Sequence, residues 1–191
     1  MGPMTAPRRV QRTISAAVGP PPCVVVLTGP PGAGKSSVAT ALHDALGDAG
    51  ESTALIEVDE LERCYPPLDE ERVLTHVAML CASFRAGGYG LLLLTATVEE
   101  DGYGERLLQA ADPGQRLVVR LEAQPSTLER RVRAREPASW SGLEALVESS
   151  RRLAVSMSAL RDVDLVLSTE GRPAETVAAR IESVMRERGC A

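Results

Sequence analysis

A glycine-rich stretch of the chain contains residue types that could bind phosphate. It has the spacing G-x-x-x-x-G-K-S, follows a short β-branched run and precedes an apolar pattern with helical spacing. Glycines let several backbone N–H groups turn toward one anion, and the positive end of the following helix acts on the same point. The residues predicted to bind a nucleotide in this way are Gly29, Pro30, Pro31, Gly32, Ala33, Gly34, Lys35, Ser36 and Ser37.

Two side chains of this stretch have chemistry of their own. Lys35 is the only lysine among 21 basic residues, and we expect its compact ammonium to reach the β- and γ-phosphates as a catalytic group. We expect the hydroxyl of Ser36 to be a Mg²⁺ ligand. The stretch therefore predicts ATP and Mg²⁺ as cofactors, with the preference for ATP over GTP left open.

Asp59 is the second candidate for chemistry. It is predicted to end the strand that begins at Ala54, beside the glycine-rich stretch. A carboxylate there could accept the proton of an attacking hydroxyl or hold a Mg²⁺-bound water. The alternative is an N-cap for a helix through Leu61. Glu57 would point to the same side as Asp59 only if no bulge intervenes.

Arginines at the end of a later predicted helix form the third candidate group. Arg131 and Arg135 lie one turn apart and lead into a segment that contains proline, tryptophan and glycine. We expect that segment, approximately residues 136–152, to form a small helical lid that excludes water from the reaction. Arg131 is predicted to bind the nucleotide, and Arg135 to stabilise the transferring phosphoryl group.

The elements that must position these residues alternate between strand and helix. Alternation of this kind predicts a parallel sheet with helices on both faces, an α/β fold built as a three-layer α/β/α sandwich. Ligands of such sheets gather at the carboxyl ends of the strands. Five strands are predicted, at residues 23–28, 54–58, 91–94, 116–121 and 164–168. Residues expected to line the crevice are Thr28, Gly29, Asp59, Thr95, Glu122 and Ser168.

Length and composition narrow the function classes. A chain of 191 residues has the length of one domain, which is predicted over 23–191. The residues before it, 1–22, are predicted to form a disordered N-terminal arm. A net charge of −5 and 3% aromatic residues argue against nucleic-acid binding. No apolar run reaches the length of a membrane span, and the first residues lack the apolar segment of a secretion signal.

The four cysteines have neither a C-x-x-C pair nor a histidine at metal-ligand spacing, so no zinc site is predicted. Cys23 and Cys81 lie in apolar patterns, where buried thiols are expected. These features predict a protein of the reducing cytoplasm.

These segments together resemble the small P-loop kinases, which have the adenylate-kinase-like fold and include gluconate, shikimate, adenylylsulfate and chloramphenicol kinases. The resemblance rests on residues 29–36, Val58-Asp59, Glu129–Arg135 and Asp164–Ile181, and it spans residues 23–188. It implies ATP, Mg²⁺ and a lid that carries the two arginines. The run Val58-Asp59-Glu60-Leu61 is most similar to chloramphenicol phosphotransferase, in which the aspartate acts as a base.

Three departures from that group matter. The Asp-Gly-Asp of gluconate-like and adenylylsulfate-like kinases and the Asp-Gly-Phe-Pro-Arg of adenylate kinases are both absent. The strand at 91–94 is followed by Thr95 and not by a second metal-organising aspartate. Asp59 is therefore left to serve both as base and as metal ligand.

The function predicted is transfer of the γ-phosphate of ATP to a hydroxyl of a small metabolite or antibiotic, by a monomer or homodimer. One alternative is a nucleotide monophosphate kinase, for which Arg63, Arg72 and Arg85 are the candidate acceptor ligands. Another is a P-loop ATPase or GTPase that works as a switch or binding module. The first alternative would need arginines free to grip a phosphate, and the second would lack an enclosed acceptor pocket.

Overall fold

Five parallel strands form the framework of the computed structural model, which describes residues 22–190. Their order across the sheet is β2-β3-β1-β4-β5. The strands are β1 Cys23–Thr28, β2 Thr53–Glu57, β3 Leu91–Thr95, β4 Gln115–Glu122 and β5 Leu165–Ser168. The predicted N-terminal arm lies outside the described residues, apart from residue 22.

Helices connect successive strands and cover both faces of the sheet. They are α1 Lys35–Asp48, α2 Val58–Leu61, α3 Glu70–Ala86, α4 Asp101–Ala111, α5 Pro125–Arg135, α6 Leu143–Ser156 and α7 Ala174–Glu187, with a 3₁₀ turn at Met157–Ala159. None of the described helices combines the length and apolar composition that crossing a bilayer requires.

The core lies on both sides of the central strands because β1 and β3 are apolar at every position of their inner runs. Val25 belongs to a buried cluster that includes Ile181 of α7, on the face covered by α1 and α7. Val26 points to the other face, where Val77 of α3 and Leu107 of α4 complete a second cluster. The prediction of a five-stranded parallel sheet in a three-layer sandwich is therefore confirmed.

The strand that carries the predicted catalytic carboxylate ends earlier than the sequence suggested. β2 stops at Glu57, and Asp59 lies in the single helical turn α2. The prediction that Asp59 ends the strand is thus wrong by two residues. Both carboxylate oxygens of Asp59 accept hydrogen bonds from Thr97, just beyond β3. These hydrogen bonds stabilise the helical turn α2, in which the chain has left the sheet.

The cysteine prediction needs one correction. Cys23 forms a disulfide with Cys190, 167 residues later, and is not a free thiol. The two Cα atoms lie 5.5 Å apart, within the range that a disulfide spans, because the chain that follows α7 returns to the first residue of β1. The prediction for Cys81 is confirmed, since it is a buried free cysteine, and burial raises the pKa of its thiol.

Candidate active site

The loop between β1 and α1 forms the base of the site, and we call residues 29–37 the phosphate loop. Gly32 has a φ of +84°, and a Cβ there would lie 2.7 Å from the backbone oxygen of Leu128. Gly34 has a φ of +91° and precedes Lys35, the first residue of the 14-residue helix α1. Left-handed backbone and close approach to α5 explain why glycine is needed at position 32. The N-terminus of α1 gives this loop a partial positive charge.

The phosphate loop opens into a cleft of about 1020 Å³ at the carboxyl ends of the strands. Its walls come from the phosphate loop, from β2 and α2, from the end of β3, and from α5 and the segment after it. Described residues that line it are Pro30, Pro31, Gly32, Gly34, Lys35, Ser36, Ser37, Glu57, Asp59, Glu60, Arg63, Thr95, Thr97, Arg131, Arg135, Glu136, Pro137, Trp140 and Leu146. We refer to this space as the cleft.

Lys35 projects from the first turn of α1 into the cleft. Its Nζ donates hydrogen bonds to the carbonyl oxygen of Gly29 and to Oγ1 of Thr97, both at 2.9 Å. It also lies 3.5 Å from Oδ2 of Asp59. Burial lowers the pKa of the Lys35 ammonium, and the Asp59 carboxylate partly opposes that shift. The ammonium is thus held among oxygen atoms at the edge of the phosphate loop.

Asp59 faces Lys35 from the opposite wall. Its Oδ1 accepts from the backbone N–H of Thr97 at 2.9 Å, and its Oδ2 accepts from the Thr97 hydroxyl at 3.0 Å. The N-cap position of α2 belongs to Glu57, so Asp59 does not cap that helix. The carboxylate is oriented by its neighbours and points at the phosphate loop.

Thr97 is the residue that sequence reasoning missed. It lies two residues beyond β3, and its hydroxyl both accepts from Lys35 and donates to Asp59. The sequence analysis selected Thr95 for this edge, and Thr95 also lines the cleft but is only 2% exposed. A search for hydroxyl side chains just past each strand end, and not only at it, would have found Thr97.

The two candidate lid arginines have different surroundings. Arg131 donates to the carbonyl oxygen of Gly32 at 3.1 Å, and to the hydroxyl and the carbonyl oxygen of Thr169 at 2.9 Å each. Arg135 pairs with Glu136 at 2.7 Å and is otherwise exposed at the mouth of the cleft. Arg131 therefore joins the phosphate loop to the turn after β5, while Arg135 remains at the entrance.

The segment expected to act as a lid comprises a loop and most of α6. The hydroxyl of Ser150 on α6 donates to the carbonyl oxygen of Pro31 at 2.7 Å, which ties the helix to the phosphate loop. Two ion pairs join α5 to α6: Arg133 with Glu144 at 2.6 Å and Arg151 with Glu129 at 2.5 Å. These bonds place the loop of residues 136–142 over the cleft.

Trp140 is the aromatic side chain of that loop. It is 45% exposed and lines the cleft. Its ring packs so closely on Gly142 that a Cβ there would collide with it. The only tryptophan of the chain thus lies at the cleft entrance, where its environment would respond to a bound ligand.

Four predicted crevice residues do not line the cleft: Gly29 and three residues whose side chains have other contacts. Thr28 is fully buried, and its hydroxyl accepts from the backbone N–H of Val98 at 3.0 Å. Ser168 uses its hydroxyl to accept from the backbone N–H of Glu170. Glu122 lies in a separate small pocket beside Pro30 and is within 3.5 Å of Arg120. These three side chains serve local structure in the described part of the chain.

The residues present fit a magnesium ion bound jointly with phosphate. Ser36 offers a hydroxyl and Asp59 a carboxylate, and both line the cleft. Within residues 22–190 no group of three or more histidine, cysteine, aspartate or glutamate side chains could form a metal cage by itself. Mg²⁺ usually keeps several waters and takes one or two protein oxygens together with substrate phosphates, which matches this donor set.

Comparison with known proteins supports the assignment of fold. A family model described as an AAA domain matches residues 24–157, more than half of the chain. No curated protein has a sequence that matches.

Solved structures with a similar backbone include three kinases. An APS kinase from Mycobacterium tuberculosis, in complex with AMPPNP and APS, has 19% identity and a TM-score of 0.63, covering 88% of this chain and 99% of its own. A sugar kinase from Janibacter sp. HTCC2649 has 20% identity and a TM-score of 0.62, and the match covers 85% of this chain and 94% of the sugar kinase. A gluconokinase from Sinorhizobium meliloti 1021 has 20% identity and a TM-score of 0.57, and the match covers 87% of this chain and 97% of the gluconokinase.

The family match spans β1, the phosphate loop and the strands and helices that surround the cleft, up to the end of α6. The similar structures extend the same backbone over most of the remaining chain. The chain therefore belongs to the AAA-domain family, and it has the fold of the small P-loop kinases.

Proposed function

We propose that this protein is an ATP-dependent kinase that transfers the γ-phosphate to a hydroxyl group of a small molecule. The observation that carries the proposal is the 3.5 Å approach of the Asp59 carboxylate to the Lys35 ammonium across the cleft. The Lys35 ammonium suits the phosphate of the donor, and the Asp59 carboxylate suits the hydroxyl of an acceptor. A phosphate bound by Lys35 and a hydroxyl bound by Asp59 would therefore lie next to each other.

The mechanism follows from these positions. The phosphate loop and Lys35 bind the β- and γ-phosphates and neutralise charge as it spreads over the transferring group. Asp59 accepts the proton of the acceptor hydroxyl while the oxygen attacks phosphorus, and ADP leaves. Thr97 keeps the carboxylate oriented through its N–H and its hydroxyl. Arg135, at the mouth of the cleft, adds positive charge when the lid loop closes.

Magnesium fits the same arrangement. Ser36 and, through water, Asp59 would hold the ion beside the phosphates. The positive charge supplied there would offset the negative charge of the phosphates. The side chains of this chain then need only to position donor and acceptor and to exclude water.

The nucleotide kinase alternative is less well supported, because two of its three candidate arginines are already engaged and the third, Arg72, does not line the cleft. Arg63 lines the cleft, but its Nη1 binds both carboxylate oxygens of Glu60, at 2.9 and 3.2 Å. Arg85 donates to the carbonyl oxygen of Ala111, at the opposite end of α3 from the cleft. Gripping an acceptor phosphate would require breaking such contacts.

The alternative of a nucleotide-dependent switch predicts slow hydrolysis of ATP or GTP without transfer of phosphate to an acceptor. A large cleft bordered by a loop with an exposed tryptophan suits a second substrate better than a flat partner surface. The absence of any transfer of phosphate would favour the switch.

The test is a transfer assay with γ-labelled ATP and a panel of hydroxyl compounds, read as labelled product and as ADP released. At least one acceptor should accelerate ADP release above the rate with water. Lys35→Ala should abolish the transfer, whereas Arg180→Ala on the outer surface of α7 should leave it intact. If no acceptor exceeds the water rate, the protein is not a kinase of this kind.

A further inference from the structure

Most carboxylates of the cleft already have a cationic partner. Asp59 lies 3.5 Å from Lys35, and Glu136 pairs with Arg135 at 2.7 Å. Glu60 pairs with Arg63, as described above. Each of these charges is compensated within the protein before any substrate binds.

Glu57 is different. It lines the cleft and is half-buried, yet within residues 22–190 its carboxylate has neither a hydrogen bond nor an ion pair. A carboxylate that loses water without gaining a partner is unfavourable, so a ligand that covers Glu57 must supply a donor or a positive charge. The neighbouring carboxylate of Asp59 strengthens that requirement, because like charges repel.

The position of Glu57 assigns it to the acceptor side of the cleft. It ends β2, an edge strand, and pairs in register with Thr95 of β3. β3 separates β2 from β1, the strand that leads into the phosphate loop. Neighbouring strands lie roughly 4.8 Å apart, so Glu57 is about two strand spacings from that strand. Asp59 forms an ion pair with Lys35 at 3.5 Å and Glu57 does not, so Asp59 is the nearer of the two carboxylates to the lysine of the phosphate loop.

We propose that Glu57 binds the acceptor, and that the acceptor carries an ammonium group beside the hydroxyl that is phosphorylated. The inference rests on the proposed kinase function and names the substrate class of the same cleft. An amino sugar or an amino alcohol would neutralise Glu57 when water is excluded. A sugar acid or a phosphorylated acceptor would instead bring a third negative charge next to Glu57 and Asp59.

The reaction balances without further partners. The acceptor oxygen forms a bond to the γ-phosphorus, the bond between that phosphorus and the bridging oxygen of ADP breaks, and the hydroxyl proton moves to Asp59. The ammonium group stays intact and remains bound to Glu57. The product is a phosphate monoester of the amino compound.

The first test compares acceptors that differ only in charge. The panel consists of matched trios: amino sugars with the parent sugars and sugar acids, and amino alcohols with glycols and hydroxy acids. We expect the ammonium members to give kcat/KM at least about 10-fold above their neutral partners, and the acid members to give the lowest values. A neutral or an acidic member that equals or exceeds its ammonium partner overturns the inference while the kinase function stands. If no member of any trio exceeds the water rate, the kinase function fails, and the inference fails with it.

The second test removes the charge of Glu57 in an isosteric way. Glu57→Gln should raise KM for the preferred ammonium acceptor by about 10-fold or more and should narrow the gap between ammonium and neutral acceptors. Glu51→Gln, an exposed glutamate outside the cleft, is the matched control and should change neither quantity. An unchanged KM overturns the inference. A rise in the Mg²⁺ concentration needed for half-maximal rate, with acceptor KM unchanged, also overturns it and makes Glu57 a metal ligand.

Discussion

The ammonium of Lys35 lies 3.5 Å from the carboxylate of Asp59, and the Thr97 hydroxyl binds both. Lys35 comes from α1 and Asp59 from α2, so this contact joins the phosphate loop to the opposite wall of the cleft. A phosphate that binds the loop would compete with Thr97 and Asp59 for the ammonium. The donor would then release Asp59 from Lys35 and leave the carboxylate free for the acceptor hydroxyl.

Asp59→Asn should lower kcat by about 10²–10⁴, because an amide cannot accept the proton of the acceptor hydroxyl. ATP should still bind, since the phosphate loop and Lys35 are untouched. Steady-state kinetics with the best acceptor, together with calorimetric titration of ATP, would separate the two effects. A kcat equal to that of the unaltered protein would exclude Asp59 as the base.

Thr97→Val should lower kcat by roughly 10- to 100-fold, because hydrogen bonds to charged groups contribute about 1.5–3 kcal/mol. Valine keeps the shape of threonine but removes the hydroxyl that orients Asp59. Thr97→Ser restores the hydroxyl and should recover most of the rate, which a purely structural loss would not do. Equal rates for the valine and serine variants would argue against a positioning role.

Local patterns were sufficient to predict the phosphate loop and its strand and helix. Their geometry is set by glycines and by a lysine within nine consecutive residues. The approach of Asp59 to Lys35 was also predictable, because the carboxyl ends of parallel strands meet at one edge. The exact end of β2 was not, since it depends on hydrogen bonds from Thr97, 38 residues later.

Contacts between distant segments account for most of what the sequence did not reveal. Arg131 binds the Gly32 carbonyl, 99 residues earlier in the chain, and Thr169, 38 residues later. Helical spacing indicated that Arg131 shares a face with Arg135, but it could not identify the groups that this face meets. The pairing of Cys23 with Cys190 also depends on a contact between distant segments. Cysteine spacing could not predict it, because that spacing does not reveal which strand the last helix covers.

Gly32→Ala should abolish tight ATP binding and lower the free energy of unfolding by about 1–3 kcal/mol. The added Cβ would meet the Leu128 backbone oxygen at 2.7 Å, and the residue would hold a φ of +84°. Gly50→Ala is the control, since Gly50 has a φ of +87° with no atom within 4 Å of the added Cβ. It should lose stability only. Calorimetric ATP titration measures the affinity of each variant for ATP, and urea unfolding measures its stability. Equal ATP affinity for Gly32→Ala and Gly50→Ala would contradict the prediction.

Cys190→Ser should lower the free energy of unfolding by about 2–4 kcal/mol in protein purified without reductant, because the disulfide closes a long loop of the unfolded chain. Reducing the unaltered protein should cause a similar loss. Cys64→Ser, which replaces an exposed free cysteine, is the control.

A thiol titration in denaturant checks the bond itself. Two thiols, Cys64 and Cys81, should react before reduction, and all four cysteines should react after it. Four reactive thiols before reduction would show that the bond does not form. Because disulfides are rare in reducing compartments, the same count also tests the prediction of a cytoplasmic protein.

Glu170→Gln should flatten the dependence of stability on acid pH. The carboxylate of Glu170 accepts from the Thr127 hydroxyl at 2.8 Å and from the Gln124 backbone N–H at 3.1 Å, and these bonds lower its pKa below the ordinary 4.5. The unfolded chain therefore binds this proton more readily than the folded one does. The stabilisation is fully present above the unfolded pKa and is lost as the pH falls through the folded value.

Urea unfolding at about pH 7 and about pH 3.5 measures this contribution. The unaltered protein should lose more stability between the two conditions than Glu170→Gln does, because the variant has no proton to gain at this position. Glu175→Gln on the exposed first turn of α7 should behave like the unaltered protein. If Glu170→Gln keeps the full acid sensitivity, the bonds that join the start of α5 to the turn after β5 do not depend on the charge of Glu170. The geometry of Arg131 and Thr169 would then hold that turn without it.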